Sequence, residues 1–291
     1  MDYQLKNEYL QITIQSKGAE IASVQSTEGL EYMWCGDEKY WGRHAPILFP
    51  IVGKIVGDTY KTDENESKEY ALSQHGFARD SEFEVAFQDE KCILFVLNSS
   101  ESTKERYPFD FSLRVRYELS DRTIKISYEV DNKDKDTMYF TIGGHPAFNC
   151  PLLEGEALED YYIEFEVQEK AQKLLITPEV YLSGEVEEYK VKRINLSQEF
   201  FKNGVTILTG LESQLVTLKS TRNNHSIIVD RKELPFLGLW SPEQGAPFIC
   251  IEPWVGHTDY ITNSKVLSEK TDFVKLDEGK QFSCSYDITF K

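Results

Sequence analysis

Alternation of apolar and polar side chains with a period of two recurs from one end of this chain to the other. Leu10, Ile12 and Ile14 alternate with Gln11, Thr13 and Gln15, and Phe83, Val85 and Phe87 follow the same rule. Phe111, Leu113, Val115, Tyr117 and Leu119 are interleaved with Ser112, Arg114, Arg116 and Glu118. Ile124, Ile126, Tyr128 and Val130 alternate with Lys125, Ser127 and Glu129. Near the C-terminus Phe282, Cys284, Tyr286, Ile288 and Phe290 stand against Ser283, Ser285, Asp287 and Thr289. A strand turns successive side chains to opposite faces, so each run predicts a strand with one buried and one wetted face. Turn-forming sequences punctuate the runs: Asp131-Asn132-Lys133-Asp134, Asn223-Asn224 and Asp277-Glu278-Gly279-Lys280. Helical signal is confined to one short turn near Ser197 to Lys202. Many short strands with few helices predict an all-β chain folded as a large antiparallel β-sandwich. No Pro/Gly/Ser-rich linker and no fixed repeat divides residues 1–291, so a single domain is expected.

Charge and cysteine usage narrow the partners. The formal net charge of −17 repels nucleic acid and anionic membrane, so neither is expected as a partner. A small anionic substrate stays open, because a local cluster of Arg and Lys overrides the global balance. No apolar run approaches the roughly 18 residues of a membrane span, and Met1 to Lys6 lacks the apolar core of a signal peptide. The five cysteines (35, 92, 150, 250, 284) are odd in number, scattered, and form no Cys-x-x-Cys pair. That usage favours reduced thiols and a cytoplasmic location over a disulfide framework or a zinc site. With 40% hydrophobic residues, the composition is that of an ordinary globular protein.

Two stretches break the alternation, Trp41 to Lys54 and Gln74-His75-Gly76-Phe77-Ala78-Arg79-Asp80. Polar donors beside Gly and Pro suit loops held rigidly over a concave face. Two further segments carry titratable groups: Gly143-Gly144-His145-Pro146-Ala147-Phe148-Asn149 and Ile251-Glu252-Pro253-Trp254. Proline disfavours the α region for the residue before it, so His145 and Glu252 are expected in extended backbone. Each follows an apolar run, Met138 to Ile142 or Phe248 to Ile251, which predicts delivery from the end of a buried strand. An imidazole and a carboxylate placed together are the two parts of general acid-base chemistry.

Taken singly, these residues also have ordinary readings. His145 reads equally as a core histidine bonded to a carbonyl, and His75 as a residue that fixes its loop. Arg43 and Arg79 read as solvated or paired with carboxylates. Glu252 is harder to dismiss, since Glu is almost never fully buried unless paired; a salt bridge to Arg or Lys is its structural alternative. Phe148, Phe236, Trp240 and Trp254 are either core or the flat platform on which a pyranose ring stacks. Glycoside hydrolysis needs two facing carboxylates, and only Glu252 stands out. No phosphate-cradling Gly-rich loop, nucleophile elbow or metal-ligand spacing is present, so no metal and no cofactor is expected.

Together, Arg43 to Lys54, Gln74 to Arg79, Gly143 to Asn149 and Ile251 to Trp254 resemble, in order and spacing, the aldose 1-epimerase (galactose mutarotase) family. The likeness covers essentially the whole chain and is greatest to the LacX-type branch, with hexose-6-phosphate 1-epimerases among the relatives. It implies a β-sandwich binding a sugar on a concave sheet, without cofactor. Residue by residue, it implies Glu252 as the base at the C1 hydroxyl and His145 as the acid at the ring oxygen. His75 is then a second imidazole near that oxygen. Gln74, Arg79, Arg43, Lys54, Asn149 and Trp240 are the expected substrate contacts. Arg43, Lys54 and Arg79 would also suit a phosphate. The chain departs from the galactose-specific pattern at Gly53-Lys54-Ile55, where Lys replaces a two-pronged Arg. It departs again at Phe201-Lys202-Asn203-Gly204-Val205, which has no Asp. The resemblance therefore implies catalysis more than it implies galactose; a protein that binds sugar without turning it over is the alternative from another class.

Overall fold

The computed structural model describes residues 1–291. Fifteen strands form one sheet whose ladders are antiparallel. From one edge the order is Ile47–Leu48, Ile142–Gly144, Phe248–Val255, Phe236–Trp240, Thr206–Thr209 and Tyr161–Ile176. It continues through Leu215–Ser220, Ser226–Asp230, Gln281–Phe290, Thr123–Asn132, Phe111–Ser120, Cys92–Asn98 and Glu84–Gln88. Off this path, Ala147–Asn149 also pairs with Phe248–Val255, and Leu182–Asn195 pairs with Tyr161–Ile176.

A three-stranded sheet of Asp2–Lys6, Leu10–Gln15 and Glu20–Ser26 packs against the large one. Its Leu5, Leu10, Ile12 and Ile14 enter the same core of 63 buried residues as Leu113, Val115, Tyr117, Ile124 and Ile126. The two sheets are pinned across that core by the Tyr117 hydroxyl, which donates to the Ala19 carbonyl at 2.6 Å. Period-two alternation thus has the cause expected of it: one row of side chains fills a sandwich interior while the other meets water. The short helical turn lies at Gln198–Phe201, where the Ser197 hydroxyl accepts from the Phe200 N–H at 3.2 Å. Asn223-Asn224 lies in the hairpin connection between Leu215–Ser220 and Ser226–Asp230.

Phe87 departs from expectation, being 47% exposed although Phe83 is buried. Its strand is the sheet edge, and a bulge between Val85 and Phe87 shifts the register against Phe95 and Leu94. The bulge turns Phe87 off the face that Phe83 occupies.

The strand Phe248–Val255 positions everything that follows. It is buried on both faces: Ile249 and Ile251 enter the main core, while Phe248, Cys250, Glu252 and Trp254 point to the other side. That two-sided burial explains why Phe248 to Ile251 reads as an unbroken apolar run. The strand continues through Pro253 to Val255, so Glu252 lies within it rather than at its end. The Trp254 indole lies over both flanking strands, where Gly143 and Gly238 supply no Cβ to meet the ring. Gly238→Ala should therefore cost about 1–3 kcal/mol, the usual penalty for overpacking. Urea unfolding measures it, and an unchanged midpoint would contradict this packing.

Candidate active site

His145 sits between two short strands, Ile142–Gly144 and Ala147–Asn149. Its backbone is held by the Trp41–Lys54 loop: the His145 N–H donates to Pro46 and the Ala147 N–H to His44. That loop is itself anchored by the buried Glu20 carboxylate, which accepts from the N–H groups of His44 and Ala45 at 2.5 and 2.8 Å. Opposite His145, Glu252 projects from the middle strand, and His145 Nε2 lies 3.2 Å from Glu252 Oε2. Both side chains are buried, Glu252 to 1% exposure. The imidazole is boxed by aromatic rings. Trp41 stacks on it at 4.9 Å between centroids, while Trp240 and His75 meet it edge-on, each at 5.6 Å.

His75 occupies the left-handed region at φ 66°, followed by Gly76 at 69°. A Cβ at Gly76 would strike the Phe49 carbonyl, so the turn requires glycine there. The loop is tied by a reciprocal pair: the His75 N–H donates to Gly53 O at 2.7 Å, and the Gly53 N–H donates to His75 Nδ1 at 3.0 Å. An accepting Nδ1 places the ring proton of neutral His75 on Nε2. The Gln74 side-chain amide, 3.2 Å from that Nε2, must then present its oxygen.

Burial sets the electrostatics. The Glu252 carboxyl is pushed well above its usual range by loss of water. His145 is pushed down to about 3, chiefly by burial, with Arg79 and Arg43 adding to the shift. His75 is held well below the ordinary imidazole value by burial, then by His145 and Arg79. The His145–Glu252 pair is therefore uncharged and holds one proton between two acceptors. Polar satisfaction gives the same picture. Six buried side-chain atoms have no hydrogen-bond partner, and all but Asp287 Oδ1 belong to this site. They are Arg79 Nε, His145 Nδ1, Trp254 Nε1 and both Glu252 oxygens. Each such atom costs on the order of 1–3 kcal/mol while unpaired, and their convergence marks a place where a polar ligand supplies the partners.

These groups line a cleft of about 300 Å³, with Trp41, Gln74, His75 and Trp240 in its wall. His145, Cys250 and Glu252 also offer three ligand atoms within 4.8 Å of one another. Burial, and next the Glu252 carboxyl, hold the Cys250 thiol far up its range, which opposes ligation as thiolate.

A family model described as aldose 1-epimerase matches residues 1–268. The chain belongs to the aldose 1-epimerase family. Protein LacX (plasmid) of Lactococcus lactis subsp. lactis is 35% identical, with 99% of both chains covered. The galactose mutarotase-related enzyme of Lactobacillus acidophilus is 34% identical and superposes with a TM-score of 0.96, covering 100% of this chain and 97% of that one. A galactose mutarotase-like protein of Lactobacillus casei ATCC 334 follows at 32% identity and a TM-score of 0.93, with both chains covered fully.

Within this aldose 1-epimerase family member, the structure brings His145, Glu252, His75, Gln74, Arg79 and Trp240 to one cleft. Three expected contacts lie elsewhere. Arg43 Nη2 is paired with Asp80 Oδ1 at 2.9 Å. Lys54 turns away to the Glu179 carbonyl at 3.2 Å, while its backbone N–H donates to the Thr258 hydroxyl at 3.0 Å. The Asn149 amide donates to the Glu31 carbonyl at 3.0 Å, joining strand to loop. Sequence reasoning passed over Trp41, Val180, Val205, Glu243 and Thr258 as lining residues. Two of them carried a signal: Trp41 heads a stretch that breaks the alternation, and Val205 closes the stretch that departs from the galactose-specific pattern. Ring titration by NMR should show His145 neutral at pH 5 and the His75 midpoint displaced below the ordinary imidazole value, since a depressed pKa extends the uncharged form to lower pH; midpoints near 6.5 would contradict the burial argument.

Proposed function

We propose that this chain is an isomerase that interconverts the α and β anomers of a hexose by acid-base ring opening and reclosure. The observation that carries this reading is the His145–Glu252 contact at 3.2 Å, inside a cleft whose buried polar atoms lack protein partners. A bound pyranose sets its C1 hydroxyl and ring oxygen side by side against such a pair. The single proton shifts from Glu252 to His145, which leaves a carboxylate and an imidazolium without changing the net charge. Glu252 takes the proton of the C1 hydroxyl while His145 protonates the ring oxygen, and the C1–O5 bond breaks to give the open aldehyde. Rotation about C1–C2 and the reverse transfer close the ring on the other face. His75, neutral, holds the Gln74 oxygen through its Nε2–H, which leaves the Gln74 N–H groups to orient the sugar. Water exclusion by Trp41 and Trp240 keeps the separated charges short-lived and strongly attracted. The five free thiols fit a reducing compartment, and we place the protein in the cytoplasm.

One observation favours a phosphorylated hexose: Arg79 Nε is buried in the cleft wall without a hydrogen-bond partner, the Asp80 carboxylate standing off at 3.8 Å. Its guanidinium is otherwise engaged, with Nη2 donating to Gln74 O at 2.6 Å. Arg43 is spent on Asp80 and Lys54 faces away, so Arg79 stands alone as a phosphate ligand.

Anomer exchange measured by NMR on free and 6-phosphorylated hexoses tests both readings. Glu252→Gln should lower the exchange rate by roughly 10²–10⁴-fold with the fold intact, and His145→Asn nearly as far. Near-normal exchange in Glu252→Gln removes Glu252 as the base. If Arg79→Ala weakens glucose 6-phosphate binding and spares glucose, the phosphosugar becomes the better substrate.

A further inference from the structure

The path of the large sheet ends in strands that resist further pairing. Ile47–Leu48 is two residues long, and Glu84–Gln88 is five residues long and bulged. Short and bulged strands are the usual way in which a sheet edge is blunted. Leu182–Asn195 is a third edge, and it differs. It is 14 residues long and pairs along one side only, with Tyr161–Ile176. On its other side Leu182 is covered, by backbone bonds to residues 259 and 261. From Val186 to Asn195 no backbone group bonds to backbone beyond that one ladder. Alternate residues of an antiparallel strand turn their N–H and C=O to the same side, so this stretch presents a row of free donors and acceptors.

Charged side chains can also blunt an edge. Six of these 14 residues are charged, so their order decides between repulsion and pairing. Glu185, Glu187 and Glu188 precede Tyr189, while Lys190, Lys192 and Arg193 follow it. A second copy laid antiparallel, with Tyr189 opposite the partner's Tyr189, sets acidic half against basic half. Glu188 then faces the partner's Lys190, and Lys190 faces the partner's Glu188. A slip of two residues in either direction, the smallest that keeps each side chain on its face, puts Glu188 on Glu188 or Lys190 on Lys190. Within one chain the two side chains are 62% and 61% exposed and lie 2.9 Å apart. Two copies therefore close a ring of four alternating charges. Val186, 49% exposed, comes to lie opposite the partner's Lys192. The Lys192 amine is tied to the Phe165 carbonyl at 2.7 Å, which leaves the apolar stem to cover Val186.

We propose that Leu182–Asn195 is the interface of a homodimer, in which the strands of two copies pair antiparallel about Tyr189 and continue the sheet from one chain into the next. Two-fold pairing uses the open edge of each copy once, so assembly closes at two. The proposal does not depend on the epimerase reading. Sedimentation at about 0.15 M salt tests it, since the −17 charge of each chain is then screened beyond about 8 Å. The mass should rise with concentration from 33.7 kDa toward twice that value. Glu188→Lys and Lys190→Glu each set like charges opposite one another, and each should weaken self-association by about tenfold or more. Mixed in equal amounts, the two variants should dimerise again, because a chain with two Lys meets a chain with two Glu. General loss of structure would not produce that recovery. A wild-type chain that stays monomeric, single variants that associate as tightly as wild type, a mixture that stays monomeric, or growth beyond two copies overturns the interface.

Discussion

A carboxyl group buried in the middle of a strand that is itself buried on both faces is the constraint on which the site depends. Glu252 is shut off from solvent at 1% exposure, and neither of its oxygens accepts a protein hydrogen bond. An ion in that position costs several kcal/mol even after relaxation, so the group stays protonated unless a partner can take the proton. His145 is that partner, and an interruption in the sheet brings it there. Ile142–Gly144 pairs with Trp254 and Val255, and Ala147–Asn149 pairs with Phe248 to Cys250. Between these ladders, the segment Gly144 to Pro146 faces Ile251 to Pro253. Each segment ends in a proline that has no N–H to give, so regular pairing lapses for one turn of the pleat. The imidazole and the carboxyl meet where the backbone pairing thins to one long bond, from the Ile251 N–H to the Pro146 carbonyl at 3.4 Å.

The same arrangement reconciles a strongly acidic chain with a cleft that holds guanidinium groups. Arg79, held by burial and by Arg43 down to about 10, still carries its charge beside the pair, and the Asp80 carboxylate lies next to both guanidinium groups. The positive field at the cleft is thereby moderated. It helps to stabilise a transient Glu252 carboxylate and opposes a permanent imidazolium, which fits a pair that is neutral at rest. The −17 charge of the whole molecule acts on ions approaching from solution and leaves a neutral sugar unaffected.

Legibility followed burial. Period-two runs, pre-proline positions and an apolar strand containing one Glu all leave a record in the order of residues, so the strands, His145 and Glu252 could be read directly. Side-chain direction within a loop leaves none. Lys54, in a loop, and Asn149, at the end of a short strand, stand in the right segments and point elsewhere, held by the Glu179 and Glu31 carbonyls. Thr258 reaches the cleft through ties to Lys54 and Val180, both far away in sequence. Phe87 shows the limit within strands: alternation was present, and one bulge at a sheet edge undid its meaning.

Chemistry and recognition consequently rest on different kinds of structure. Glu252 lies inside a central strand, and His145 is fixed by hydrogen bonds to the neighbouring loop at both ends of its short segment. Val180, Gly204, Val205, Glu243 and Thr258 all lie outside the regular strands. A change in those loops reshapes the cleft without moving the strands that hold His145 and Glu252. The departures from the galactose-specific pattern fall at Lys54 and at Phe201 to Val205, and the second of these borders the cleft. Substrate choice in this fold can therefore shift while the distance between imidazole and carboxyl stays set by the sheet.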